Sequence, residues 1–247
     1  MSTIRQFDPV RRKLSLAAAA APLLLGLLAR TASGQGAAPL KIGVIGSGRV
    51  GGTIGGLWVK AGHEVVFSAR EIGEVKELVA GLGPRARAGT PREAAAFGEV
   101  VLVSVPYSAL PQIGRDYAAE LKGKAVLDTC NPIQGRDGDM AVEARAKGTG
   151  VASPQFLPGV RLVRAFNCVG YNSMRSEAHR AGERLAIPLA ADDEAALKVA
   201  TRLVQDAGFE PVFVGPLARA KEFDVGTPVF GKALTARELR AALGLAR

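Results

Sequence analysis

Six residues near the start of the chain, Gly46-Ser47-Gly48-Arg49-Val50-Gly51, have the types and spacing that bring backbone amides against a phosphate. The first glycine permits a tight turn. The second removes the side chain that would hold an anion away from the main chain, and the third lets a following helix pack closely on the preceding strand. In a chain with 30 glycines, such a string can also arise as a plain structural turn. Its context favours the phosphate reading: Lys41 to Ile45 reads as a short buried strand directly before it, and Val50 to Lys60 as a helix directly after it. The unpaired N–H groups at the helix start would then face the anion.

Which dinucleotide fits is decided at the end of the second strand, Glu64 to Phe67, which runs into Ser68-Ala69-Arg70. An NAD site places an acid there, accepting hydrogen bonds from the ribose 2'-hydroxyl. Ser68 and Arg70 instead offer a hydroxyl donor and a guanidinium, which suit a 2'-phosphate. The competing acid, Glu71, sits one residue further on and is expected to open a helix, where a carboxylate favours the dipole. The cofactor expected is therefore NADP(H). Three later strand ends should converge on its reactive ring: Ser104-Val105-Pro106-Tyr107, Asp128-Thr129-Cys130-Asn131-Pro132 and Ala165-Phe166-Asn167-Cys168. The candidate ring-side residues are Ser104, Val105, Pro106, Asn131 and Asn167. The prolines can equally be strand stops, and the two asparagines can equally satisfy local backbone groups.

The elements that must hold these loops alternate in kind. Strands are expected at Lys41 to Ile45, Glu64 to Phe67, weakly at Arg85 to Ala88, then at Val100 to Val105, Ala125 to Asp128, Arg161 to Phe166, Leu185 to Ala190 and Glu210 to Val214. Helices are expected at Val50 to Lys60, Glu71 to Ala80, Pro91 to Phe97, Ser108 to Leu121, Glu194 to Asp206 and Thr235 to Leu243, the last with Thr235 as its cap. The fold class that follows is α/β: a Rossmann-type doubly wound, mostly parallel sheet with helices on both faces. Ligands of such sheets bind beyond the carboxyl ends of the strands, where the strand order reverses. The stretch Phe223 to Lys232 reads as an extended flap.

The chain resembles the NADP oxidoreductases that depend on the deazaflavin coenzyme F-420, whose nucleotide domain is similar to that of metalloreductases. The residues that carry the resemblance are Lys41-Ile42-Gly43-Val44-Ile45-Gly46-Ser47-Gly48, Ser68-Ala69-Arg70, Val105-Pro106, Asn131-Pro132, Arg164-Ala165-Phe166-Asn167, Gly208-Phe209-Glu210-Pro211-Val212 and Gly215-Pro216-Leu217. It implies NADPH binding and hydride transfer to or from a flavin-like acceptor stacked on the nicotinamide. Transfer between two such cofactors needs positioning more than a protein acid or base. The two histidines agree with this, since neither His63 nor His179 falls in an expected strand-end loop.

The totals bound the rest. Apolar residues make up 48% of the chain, enough for a packed core. Of the +9 formal charge, +4 lies in the first 36 residues, and the remainder is dispersed without basic runs or interleaved aromatics. That pattern speaks against a nucleic-acid partner. Residues 1–36 read as a signal peptide: the pair Arg11-Arg12 resembles a twin-arginine signal, followed by the apolar Leu14 to Leu28 and a small-residue processing region. At 15 residues, interrupted by Pro22 and Gly26, the apolar stretch is short for a spanning helix, which needs about 20. Cleavage and a periplasmic or exported mature protein without stable membrane insertion are expected, with an uncleaved tether as the alternative. Residues 39–247 then form a single NAD(P)-binding domain with a C-terminal extension. Cys130 and Cys168 are read as two buried thiols in preference to a disulfide. No metal site is expected, and a homodimer is left open.

The leading function is an NADP(H)-dependent oxidoreductase acting on a flavin-like, deazaflavin-like or metal-chelate acceptor. A small imine or hydroxyacid reductase is the second reading, weakened because only about 80 residues follow Asn167, where such enzymes usually append a large helical domain. A non-catalytic NADP(H)-binding sensor or scaffold is the third.

Overall fold

A computed structural model describes residues 38–246, so the signal peptide read into residues 1–36 lies outside the described residues. Eight strands form one sheet: β1 (Lys41–Ile45), β2 (Glu64–Ser68), β3 (Ala86–Gly89), β4 (Val100–Val103), β5 (Ala125–Asp128), β6 (Arg161–Arg164), β7 (Ala186–Ala191) and β8 (Glu210–Gly215). Their spatial order is β3-β2-β1-β4-β5-β6-β7-β8. All neighbours are parallel except β6 and β7, which pair antiparallel through Val163 with Ala191 and Arg164 with Ala190. The order reverses between β1 and β4, which register Val44 against Leu102. A ligand crevice is expected at that point.

The central strands are buried on both faces, and their alternation divides the core in two. Ile42 and Val44 of β1, Val100 and Leu102 of β4, and Ala125 and Leu127 of β5 belong to one apolar cluster. Ile45, Val101, Val103 and Val126 belong to the other. The first face is covered by α1 (Arg49–Lys60) and α9 (Glu194–Asp206), joined where the buried Trp58 Nε1 donates to Leu203 O at 2.7 Å. Phe166 meets Trp58 and Phe209 edge to face, with ring centroids 6.1 and 6.0 Å away.

Expected and observed elements agree closely on this frame. α2 (Ile72–Ala80) starts one residue later than expected, with Glu71 at its N-cap position. α3 (Pro91–Phe97) opens on a capping box made by Thr90 and Glu93, and α10 (Ala236–Ala242) on one made by Thr235 and Glu238. The single helix expected from Ser108 to Leu121 is instead a 3-10 turn Tyr107–Ala109 followed by α4 (Leu110–Asp116) and α5 (Ala118–Leu121). It breaks at Tyr117, whose backbone leaves helical values and whose ring carries the Arg92 guanidinium.

Three helices had no sequence counterpart: α6 (Gln134–Lys147), α7 (Thr149–Phe156) and α8 (Tyr171–Glu177). The C-terminal stretch is not an extended flap. After a 3-10 segment, Leu217–Phe223, that ends on the buried Phe223, it runs through successive turns in which Asp224 and Val229 are buried. The Gly231 N–H donates to Cys168 O at 2.7 Å. Apolar anchors at Phe223 and Val229 and a buried charge at Asp224 hold it against the end of β6.

Candidate active site

The glycine turn after β1 gives each glycine a separate physical reason. Gly46 has φ of +95°, a region that L side chains rarely occupy, and a Cβ there would lie 2.2 Å from Ser104 O. At Gly51 a Cβ would lie 2.1 Å from Gly46 O, so α1 can close on the turn only without one. Gly48 has an ordinary φ of −70° and a Cβ there would meet no protein atom within 4 Å. Nothing in the protein requires glycine at Gly48; the space its side chain would fill opens into a cavity. That cavity has a volume of about 240 Å³ and lies between the turn, the end of β4 and the end of β5.

The turn is bonded to the sheet, but the first-turn donors of α1 are not used within the helix. Ser68 O accepts the N–H groups of Gly46 and Ser47, both at 2.9 Å, which locks the turn onto β2. The first intrahelical bond of α1 runs from Gly52 N to Gly48 O at 2.7 Å, so the N–H groups of the first turn have no helical acceptor. No side chain caps this 12-residue helix, whereas Thr90, Asp193 and Thr235 cap α3, α9 and α10. The Ser47 hydroxyl beside it is buried and unpartnered. These groups fit a pyrophosphate: orphan N–H donors at a helix N-terminus, with a gap where a side chain would obstruct it.

Of the candidate residues, Gly48, Arg49, Val50, Ser104, Val105, Pro106 and Asn131 line one cavity. Gly46, Ser47 and Gly51 shape its turn from behind. Ser68 does not do what its type suggested. Its side chain is fully buried and its hydroxyl donates to Val44 O at 2.8 Å, so in this structure it holds β1 to β2 and offers nothing to a 2'-phosphate. The strand runs one residue longer than expected, and period-2 alternation turns Ser68 into the sheet. Arg70, beyond the strand end, is exposed and unconstrained. Asn167 is also withdrawn from the cavity: it is buried, its amide N donating to Phe223 O at 3.5 Å. Its contribution is its carbonyl, which accepts the Asn131 amide at 2.7 Å and so ties the β6 loop to the β5 loop. The preceding Phe166 has φ of +60°, unusual for a bulky side chain, and is held there by Trp58 and Phe209.

Thr129 and Cys130, from the β5 loop expected to converge here but not named among the candidate residues, complete the wall together with Arg136, which sequence reasoning missed. Cys130 Sγ accepts from Val105 N at 3.4 Å, and its own N–H donates to Asp128 Oδ1 at 2.8 Å. Burial, reinforced by the Asp128 charge, pushes the Cys130 thiol well above its ordinary range, so it stays protonated. Cys168 is likewise free and buried, pushed up to about 12 by burial. The two thiols belong to opposite apolar faces of the sheet.

Beneath the wall lies a fully buried guanidinium. Arg164 Nη1 stands 2.6 Å from Asp128 Oδ2 and Nη2 stands 3.6 Å from Asp224 Oδ1. The first contact is charge against charge, since Asp128 Oδ2 receives no aligned hydrogen bond; the aligned bond from Nη1 goes to Asp128 O at 3.1 Å. Burial alone would lower the Arg164 pKa, but Asp128 and Asp224 outweigh it and raise the value. Asp224 also accepts Thr149 N at 2.8 Å and Thr149 Oγ1 at 2.6 Å, so one arginine fastens β5, β6, the C-terminal turns and the start of α7. His63 proves structural: it is buried, Nδ1 accepts Leu40 N at 3.0 Å, and Nε2 lies 3.0 Å from Asp206.

Comparison with known proteins agrees with this geometry. No curated protein matches the chain. A hypothetical protein from Sinorhizobium meliloti has the same fold at a TM-score of 0.67 and 20% identity, over 79% of this chain and 95% of that one. A protein assigned as an F420-dependent NADP-reductase from Arthrobacter sp. FB24 follows at 0.62 and 22%, over 84% and 96%. An imine reductase from Myxococcus stipitatus, solved with NADP+, gives 0.52 and 21%, over 73% and 57%. The stretch from residue 41 to 132, which contains the glycine turn, the Arg70 bend and the β4 and β5 loops, matches the family described as NADP oxidoreductase, coenzyme F420-dependent, the one its motifs resemble.

Proposed function

We propose that this protein is an NADP(H)-dependent oxidoreductase that passes hydride between the nicotinamide and a flavin-like, deazaflavin-like or metal-chelate acceptor. The observation that carries the reading is the combination at α1: an open Gly48 and an uncapped helix start on one cavity, with a buried, unpartnered Ser47 hydroxyl in the turn beside them. The α1 amides would hold the pyrophosphate, and Arg70 the 2'-phosphate. Ser104, Val105, Pro106, Thr129 and Asn131 would bed the nicotinamide, with the unpartnered Asn131 Oδ1 as an acceptor for its amide. When bound, NADPH supplies the hydride. The cavity wall holds no carboxylate and no histidine, and its one thiol stays protonated. This favours an acceptor that needs orientation over an imine or keto substrate that needs a protein proton donor.

The test mixes the purified protein with NADPH and a panel of flavins, deazaflavins and ferric chelates while the nicotinamide absorbance is followed. Oxidation with at least one member is expected. Tight NADPH binding without oxidation across the panel would establish the sensor reading instead. We further propose that residues 1–36 direct export through a twin-arginine-type route and are then removed. Mass spectrometry of the exported fraction should find an N-terminus between residues 33 and 38; a mature protein beginning at Met1 or Ser2 would refute this.

A further inference from the structure

Arg136 lies on the β5 side of the cavity, across the β4 end from the phosphate-binding turn, on a helix that sequence reasoning did not anticipate. Its guanidinium is held firmly. Nε donates to both oxygens of Asp137 at 3.1 and 3.2 Å, and Nη2 donates to Asp137 Oδ2 at 2.9 Å and to Asn131 O at 2.7 Å. Nη1 has no partner of its own, and the side chain is 46% exposed. Asp137 is fully buried at its side chain and also accepts Ser108 N at 3.1 Å and Ile133 N at 2.9 Å. Burial pushes its carboxyl up, but Arg136 and these two N–H groups outweigh that and hold it at about 2. Its charge is thus divided among several donors, and it acts as a mount for Arg136.

The second cation of the cavity, Arg49, sits on the phosphate turn itself, its guanidinium over the Tyr171 ring at 5.5 Å and Nη1 donating to the Tyr171 hydroxyl at 3.3 Å. One arginine therefore belongs to the dinucleotide side and the other to the far rim; Asp137 pairs with Arg136 through Nε and Nη2 only, and no carboxylate lines the cavity opposite Nη1. A mounted guanidinium with a free edge is the arrangement that reads an anionic oxygen group, because its donors need no reordering on binding.

We propose that Arg136 is a specificity residue that selects an acceptor carrying an anionic oxygen group, a phosphate or a carboxylate, at the rim of this cavity. The proposal rests on the hydride-transfer reading above. Its test is binding by the NADP+-loaded protein, followed by flavin fluorescence, of two pairs that differ only in charge: FMN against riboflavin, and carboxymethylflavin against lumiflavin. At least one anionic member should bind about 10- to 100-fold more tightly than its neutral twin, the worth of a charge-assisted hydrogen bond. The pair that shows the preference tells phosphate from carboxylate. Arg136→Gln should abolish the preference and Arg136→Lys should keep part of it, and in both the change in NADPH affinity should be much smaller than the change in the preference. Equal or undetectable binding of both twins in both pairs overturns the proposal. So does a preference that survives Arg136→Gln, or a proportional loss of NADPH affinity, which would put Arg136 on the dinucleotide. If the native protein fails to bind NADPH, the dinucleotide reading falls, and the flavin pairs titrated without nucleotide still decide the role of Arg136.

Discussion

A methyl group at Gly48 and a methyl group at Gly51 should have opposite effects, because one faces a ligand and the other faces the fold. At Gly48 a Cβ meets no protein atom within 4 Å and φ is −70°, so Gly48→Ala lacks only the tolerance that glycine brings to an N-cap. That should cost about 1 kcal/mol of stability at most. In the ligand-bound state the same carbon stands between the pyrophosphate and the first-turn amides. Displacing one or two hydrogen bonds to a charged oxygen, each worth about 1.5–3 kcal/mol, weakens NADPH binding about 10-fold to more than 1,000-fold. At Gly51 the Cβ would lie 2.1 Å from a backbone oxygen, which cannot give way without moving α1 off β1. Strain of this kind costs about 1–3 kcal/mol or more, and each kcal/mol lowers the melting temperature of a domain this size by about 2–4 °C. Thermal melts and fluorescence titrations with NADPH on the two variants separate the cases. A Gly48→Ala protein that binds NADPH like the native one would refute the phosphate role of this turn, whatever happens at Gly51.

Three further outcomes follow from named contacts. Arg70→Ala should weaken NADPH about 10- to 100-fold while leaving NADH nearly unchanged; equal losses for the two would remove Arg70 from the 2'-phosphate. Asp224→Ala strips one carboxylate from the buried Arg164 and both acceptors from Thr149, so chemical denaturation should show a loss of about 3–5 kcal/mol, and a loss under about 1 kcal/mol would show that the triad is not a fastening. Burial depresses the His63 pKa below 6.5 by more than Asp206 raises it, so protonation favours the unfolded chain. That stability is present above about pH 6.5 and is lost as pH falls below it; melts from about pH 8 to about pH 5 should show the fall, and His63→Gln should flatten it.

The frame from β1 to β5 was legible because β1, β2, β4 and β5 each contain a short apolar run closed by a glycine or a polar residue, with β3 (Ala86–Gly89) only weakly marked, and because the glycine turn tells a strand-to-helix junction from a loop. Thr235 and Pro91 marked helix starts through chemistry local to the backbone. The stretch from residue 133 to 156 was not legible for equally local reasons. α6 carries Gly135 and Gly138, the latter at φ of +57°, and buries only Asp137, Ala141 and Ala144; α7 contains Pro154. Neither shows an apolar stripe, so both take their shape from neighbours distant in sequence, and Arg136 was missed with them. Ser68 was misjudged because residue type cannot say where a strand ends, and Ser68 lies inside the paired strand, where its hydroxyl is bonded to β1. The buried triad was hidden for another reason: Asp128, Arg164 and Asp224 are far apart in the chain, and nothing local shows that they meet.

The ties among the strand-end loops divide the cofactor site into a stiff half and a soft half. Val105 N–H is bound to Cys130, Cys130 N–H to Asp128, and Asp128 to the buried Arg164, so this wall of the cavity is tied through the β4 and β5 ends to the interior of the sheet. These amides should exchange with solvent at the rate of global unfolding. Arg70 stands in an exposed bend with no such tether. On the proposed placement of the cofactor, binding would order little on the nicotinamide side, and most of the entropy lost by the protein would be lost at the phosphate end. The reacting ring would then meet a fixed platform, and the mobile end would be the one that carries the 2'-phosphate.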